Sequence, residues 1–143
     1  LEDLTAPQSD ELTRRLAQVA GERPAPLPAD GVAQLAAAGW EIGFHTRRHD
    51  VLTALDDDAL HDALERGRHD VCAGGACTLA YPHGKARERE ASAARRAGYV
   101  AAYTGRDEVL TERTDEHLIG RLQPRNDTLG GVALRLARAL SAP

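Results

Sequence analysis

Aromatic side chains are scarce in this chain: one Trp, three Tyr and one Phe, 3% of 143 residues. A core built on many stacked rings is excluded, and Ala, Leu and Val are expected to do most of the packing, which favours close helix–sheet contacts. Long apolar runs are missing as well. None approaches the roughly 20 residues that cross a bilayer, so no membrane span is expected, and no charged n-region followed by an apolar h-region marks a signal peptide. Nor is there an excess of basic charge. The net charge is −4, the sequence pI is ≈ 5.8, and arginines alternate with acids, as in Arg87-Glu88-Arg89-Glu90. That pattern is a solvated helix face rather than the basic stripe of a nucleic-acid binder, so no nucleic-acid partner is expected. Internal repeats, low-complexity tracts and an interdomain linker are absent too.

Cysteine is limited to Cys72 and Cys77, separated by Ala-Gly-Gly-Ala. Two readings stand side by side: a disulfide closing this Gly-rich loop in an oxidising compartment, or two free thiols in a reducing one. An acidic, cysteine-poor chain without a leader leans towards the cytoplasm.

What is present is an ordinary globular balance, 42% hydrophobic and 28% charged. The length fits one domain over residues 1–143, able to bury roughly two-thirds of its unfolded surface. The chain begins at Leu1 rather than Met, which leads to the expectation that it is an N-terminally truncated piece of something longer.

Residues 9–20 read as a helix capped by Ser9, with Leu12, Leu16 and Val19 on one face and Gly21 as its stop. Pro24, Pro26 and Pro28 mark an irregular connection. A second helix is expected at 30–38, opened by Asp30, with Val32, Leu35 and Ala36 inward and Gly39 ending it. The apolar run Trp40–Phe44 then reads as a strand. The cycle repeats: a helix from Asp56–Asp58 to about Val71 with Leu60, Leu64 and Val71 inward, a strand at Cys77–Tyr81, a helix at Arg87–Ala97, a strand at Tyr99–Tyr103, and a weaker strand at Leu118–Leu122. A last helix begins near Asp127 or Thr128 with Leu129, Val132, Leu136 and Leu140 inward. Such βα alternation implies an α/β fold with parallel strands and right-handed crossovers, either an open sheet or a section of a βα barrel. In both, functional residues lie just beyond the C-terminal ends of strands.

Two such strand ends carry chemistry. After Trp40–Phe44 comes His45-Thr46-Arg47-Arg48-His49-Asp50, and after Cys77–Tyr81 comes Pro82-His83-Gly84-Lys85. Two histidines four apart place both imidazoles on one side of a helical turn, a spacing that a tetrahedral zinc site accepts. A catalytic zinc takes three protein ligands, lowers the pKa of a bound water to about 7 and polarises a carbonyl. With six histidines in the chain, chance spacing is the competing explanation. His61 and His69 read as solvent-facing on a polar helix, and His117 as an unremarkable residue of a charged loop.

The stretch Gly39-Trp40-Glu41-Ile42-Gly43-Phe44-His45-Thr46-Arg47-Arg48-His49 resembles the second motif of the polysaccharide deacetylases (the NodB-homology domain, carbohydrate esterase family 4), a G-x-E-I-G strand followed by H-[S/T]-x-x-H. Asp50–Leu55 resembles the family's continuation into its next helix. Ala80-Tyr81-Pro82-His83-Gly84 resembles the third motif in its A-Y-P-[YH]-G form, and the likeness covers roughly residues 28–104.

The resemblance implies a partial or distorted (β/α) barrel, zinc or another divalent cation on His45 and His49, and a loop steadied by Thr46. The backbone N–H of His83 would serve as an oxyanion donor, and Tyr81, Pro82 and Gly84 would shape a substrate groove. The implied reaction is metal-dependent hydrolysis of the N-acetyl group of an aminosugar in a polysaccharide or oligosaccharide, giving acetate and a free amine.

The family's first motif, a strand ending in an Asp-Asp pair that supplies the general base and the third metal ligand, has no counterpart in residues 1–30. Asp3, Asp10 and Asp30 sit in polar or helical contexts. The late motif with its general-acid His has no clear counterpart either, His117 being the only histidine after His83. Three readings follow: a deacetylase lacking its first strand, a degenerate and inactive deacetylase-like domain that binds carbohydrate or a partner, and a generic α/β domain with chance histidines.

Overall fold

The structure is a computed structural model, and it describes residues 5, 7–8, 10–11, 14–15, 26–72, 77–122 and 128–141. The chain divides into two compact units, Leu1–Ile42 and Gly43–Pro143.

In the first unit, residues 10–11 and 14–15 are helical, within the helix expected at 9–20. Its apolar positions Leu12, Leu16 and Val19 lie outside the described residues. Helix α1 spans Ala29–Ala37 with Pro28 at its N-cap. Asp30 therefore sits inside the first turn, where its charge suits the helix dipole, and is not the cap. Val32 and Leu35 are half-buried, but Ala36, expected inward, is exposed. Gly39 closes the helix at φ +86, a conformation that suits glycine.

The second unit holds a parallel sheet. Strand β1 (Thr78–Ala80) pairs with β2 (Ala101–Tyr103), Leu79 facing Ala102 in register. Single parallel bridges extend it on both sides, Phe44 to Leu79 and Tyr103 to Ile119. The strand expected over Trp40–Phe44 thus contracts to one bridge at Phe44, and that at Leu118–Leu122 to one at Ile119. A ladder forms only where a neighbour is in reach, and Trp40 is 67% exposed.

Helix α2 (Asp57–Glu65) begins where Asp56 accepts the Ala59 N–H at 2.8 Å, and it buries Leu60 and Leu64. It was expected to run to Val71, but Gly67 at φ +83 breaks it, and a short helix α3 follows over Arg68–Val71. A Cβ at Gly67 would meet the Arg47 side chain at 2.6 Å. Helix α4 (Glu88–Arg96) opens with a capping box in which the Glu90 carboxylate accepts the Arg87 N–H. It packs against α2 and β2, burying Ala91, Ala93 and Ala94. Helix α5 spans Leu129–Ser141. Its leucines were expected inward, yet Leu129, Leu136 and Leu140 are exposed.

The core gathers Phe44, Leu52, Leu60, Leu64, Leu79, Tyr81, Ala94, Tyr99 and Ala102. Small alanines and leucines fill it as expected. The few aromatics nonetheless matter: Phe44, Tyr81 and Tyr99 are all buried, and Phe44 stacks on Tyr99 with ring centroids 6.3 Å apart. Among the described residues, valine has no part in the buried core set. Of the two readings for the cysteines, the structure has the disulfide: Cys72 and Cys77 are joined, with Cα atoms 5.5 Å apart, inside the range that a bridge spans. It ties the end of α3 to the start of β1. Among the described residues, no helix is long and apolar enough to cross a membrane.

Candidate functional site

Parallel strands send their following loops out at one end of a sheet. Phe44 is fixed to β1 by its N–H to the Thr78 carbonyl (2.8 Å) and by its carbonyl, which accepts the Ala80 N–H (2.9 Å). The chain leaving Phe44 and the chain leaving Ala80 therefore emerge side by side, carrying His45–His49 and Tyr81–Gly84.

The first loop is not the helical turn that the four-residue spacing suggests. Thr46 (φ 59) and His49 (φ 57) are both left-handed, a conformation that costs a side-chain-bearing residue about 1–2 kcal/mol. Local ties offset that cost. Thr46, expected to steady the loop, accepts the His49 N–H on its hydroxyl at 3.2 Å. The double turn brings the rings together, with His45 and His49 centroids 4.8 Å apart and edge to face. His45 is oriented through its own ring: Nδ1–H donates to the Ala80 carbonyl at 2.6 Å. A carbonyl can only accept, so in the neutral ring the lone pair sits on Nε2, facing away from the sheet. A metal-binding histidine is held in this way by a partner on its other nitrogen.

The second loop is a 3-10 turn over Pro82–Gly84. Tyr81 and Pro82 are buried. The Tyr81 ring lies in the core with its hydroxyl donating to the His117 carbonyl at 2.9 Å, and burial raises its pKa. What Tyr81 presents outward is the turn that it anchors. Gly84 sits at φ +65, and a Cβ there would meet the backbone Cα and N of Gly105 at 2.6 Å. The Gly105 N–H donates to the Gly84 carbonyl at 2.9 Å, so this turn and the one after β2 share a wall.

His83 is exposed and left-handed (φ 57). Its expected part was through the main chain. Its side chain also reaches the first loop: Nε2–H donates to the His49 carbonyl at 3.3 Å, and its ring meets that of His49 at 4.5 Å, again edge to face. The three imidazoles thus form a row, His45–His49–His83. Desolvation first, then the neighbouring His45 and His83 rings, hold the His49 pKa below the ordinary histidine range, so at neutral pH its ring is uncharged and able to offer a lone pair.

His117 was expected to be unremarkable and is instead only 6% exposed. Its Nε2–H donates to the Tyr99 carbonyl at 2.8 Å, and its own N–H donates to Asp115 Oδ1 at 2.7 Å. Arg95 donates to both oxygens of Asp115 at 2.9 Å. Of the charged neighbours that suggested a solvated loop, Asp115 joins this network, while Tyr81 and Tyr99 reach His117 from distant positions. His61 and His69 are exposed, as expected.

Two imidazoles suit a divalent cation by their chemistry and by the orientation of His45. A full donor set is not assembled: among the described residues, no group of three or more His, Cys, Asp or Glu is arranged to hold a metal ion. Asp3 lies outside the described residues, and Asp30 lies in α1.

A family model described as "Polysaccharide deacetylase" matches residues 12–102, well over half of the chain and inclusive of both loops. No curated protein and no solved structure matches.

Proposed function

The chain belongs to the polysaccharide deacetylase family, and from that premise we propose that it is a deacetylase domain whose His45 and His49 hold a divalent cation, zinc or one like it, for hydrolysis of the N-acetyl groups of an aminosugar polymer. The observation that carries this reading is the pair of neighbouring imidazoles at the strand end, one of them oriented by Ala80 so that its Nε2 is offered outward. The parallel elements are read as a section of the family's (β/α) barrel.

When bound, the cation would polarise the acetamide carbonyl and lower the pKa of water. The chain's own residues have separate tasks. Ala80 fixes the His45 tautomer. Thr46 holds the backbone of His49. The buried Tyr81 and Pro82 hold the turn that offers the His83 backbone N–H to the oxygen on which negative charge develops. Gly84 keeps that turn close to the next loop and leaves room for a sugar chain. No residue described above is assigned as the base or as the remaining ligand.

The incomplete donor set favours a second reading, a domain that keeps the fold and binds a carbohydrate or partner without turnover. One experiment separates the two. Acetate release from N-acetylated oligosaccharides is measured with the purified protein, after chelation, and after zinc is restored. Release that falls on chelation and returns with zinc is the expected result. Binding of the oligosaccharide with no acetate release under any of the three conditions supports the second reading and overturns the first.

A further inference from the structure

His45 and His49 are held by different means. His45 is tied through its ring, by Nδ1–H to Ala80. His49 is tied through its backbone, by its N–H to Thr46 Oγ1 and by its carbonyl, which accepts from His83. A left-handed residue other than glycine persists only where its surroundings over-determine it. His49 is such a residue, and its anchor Thr46 is another.

We propose that the His83 side chain is the positioning residue for His49: its Nε2–H pins the His49 carbonyl and its ring packs edge-on against the His49 ring, which together keep that imidazole beside His45. This role belongs to the imidazole and is separate from any use of the His83 main chain. It rests on the reading of His45 and His49 as metal donors.

Three further features of the second loop serve the same placement. His83 is itself left-handed, which carries its side chain across to the neighbouring loop. Pro82 is buried and cannot swing. Gly84 is backed directly onto Gly105. The turn is thereby rigid behind the ring that it presents. Without the His83 side chain, the His49 peptide keeps its N–H tie alone and is free to leave the left-handed basin, taking its ring away from His45.

The test compares the wild-type protein with H83A, H83Q and H83F by two readouts. The first needs no metal: NMR cross-peaks between the His45 and His49 rings at pH 8. The second is Zn²⁺ affinity by competition with a fluorescent chelator. The expected result is that H83A loses the ring cross-peaks and binds Zn²⁺ about 10-fold more weakly, as loss of an outer-shell partner does, with its thermal midpoint unchanged. H83Q keeps an N–H donor and restores most of the affinity, whereas H83F keeps only a ring edge and restores little. Wild-type cross-peaks and affinity in H83A would overturn the positioning role while leaving the metal pair standing. Absence of Zn²⁺ binding by the wild type would overturn the metal reading instead, and the cross-peaks alone would then decide whether His83 positions His49.

Discussion

Histidine serves this protein in two settings built on the same short strands. At the strand ends, His45, His49 and His83 are exposed and touch one another through their rings. Beneath them, His117 is buried in a belt of hydrogen bonds: Tyr81 donates to its carbonyl, it donates to Tyr99 and Asp115, and Arg95 clamps Asp115. The belt joins the end of β1, the approach to β2 and helix α4. The upper row holds nitrogens towards solvent, where a ligand can reach them. In the belt, Nε2 is committed to a carbonyl, and Nδ1 is buried without a hydrogen bond, 3.7 Å from Asp115. One side chain is thus a strut where it is surrounded and is accessible to a ligand where it is not. Substitutions in the belt should act on stability, and those in the row on ligand binding.

The strongest way to break this division is Tyr81→Ala. Tyr81 is fully buried and bridges both settings, so its loss should destabilise the fold by about 3–5 kcal/mol, as truncation of a buried ring does, read by denaturant titration. A loss below about 1 kcal/mol would show that the belt is no strut. His49→Ala should do the reverse. Acetate release should drop to background and Zn²⁺ affinity by more than ~10-fold, while stability stays within about 0.5 kcal/mol, as for exposed positions. His117→Leu keeps volume in the belt but strands the Tyr99 carbonyl without its donor. Leaving such a group buried costs about 1–3 kcal/mol, and Zn²⁺ affinity should not change.

The smallest effect is set by pH. The His117 N–H first, and then Arg95, hold the Asp115 carboxyl below the ordinary aspartate range against its partial burial. A depressed carboxyl stabilises the fold at pH values above its unfolded pKa of about 3.9, and that contribution is lost as pH falls through its folded value. Asp115→Asn should therefore weaken the protein by about 1 kcal/mol near neutrality, the worth of a hydrogen bond. The difference from wild type should shrink in acid. A constant difference from pH 7 down to pH 2, measured by thermal melts, would remove Asp115 from the belt.

Much of this was legible in the residues, unevenly. Helix ends were readable to within a residue or two where the signal is local, as at Asp56 and at the two ends of α4; Glu90, read as part of a solvated face, is instead only 2% exposed because its carboxylate caps α4. The two strand-end loops were legible because an apolar run followed by a cluster of polar, chemistry-bearing side chains is a local pattern too. What failed depended on partners. Trp40–Phe44 has strand composition, but only Phe44 has a ladder neighbour. The leucines of α5 form a face that asks for cover, and amphipathicity does not say what supplies it. The burial of His117 could not be read from Asp115, Glu116 and Arg113 around it, because the groups that draw it in, Tyr81 and Tyr99, lie 36 and 18 positions away. The His83 side chain was overlooked for a related reason. Its main-chain part follows from a motif within one loop, and its contact with His49 joins two loops 34 positions apart.

The backbone contact between Gly84 and Gly105 has a bearing on how such a site could be altered. Two loops that meet main chain to main chain, with no side chain between them to be trimmed or rotated, form a single cassette. An engineer altering this surface could vary the exposed residues on either loop, but a new residue at 84 would push the chain at 105 and through it the whole turn after β2. Libraries that randomise one loop should fix both glycines, and grafts from a relative should carry the two loops together.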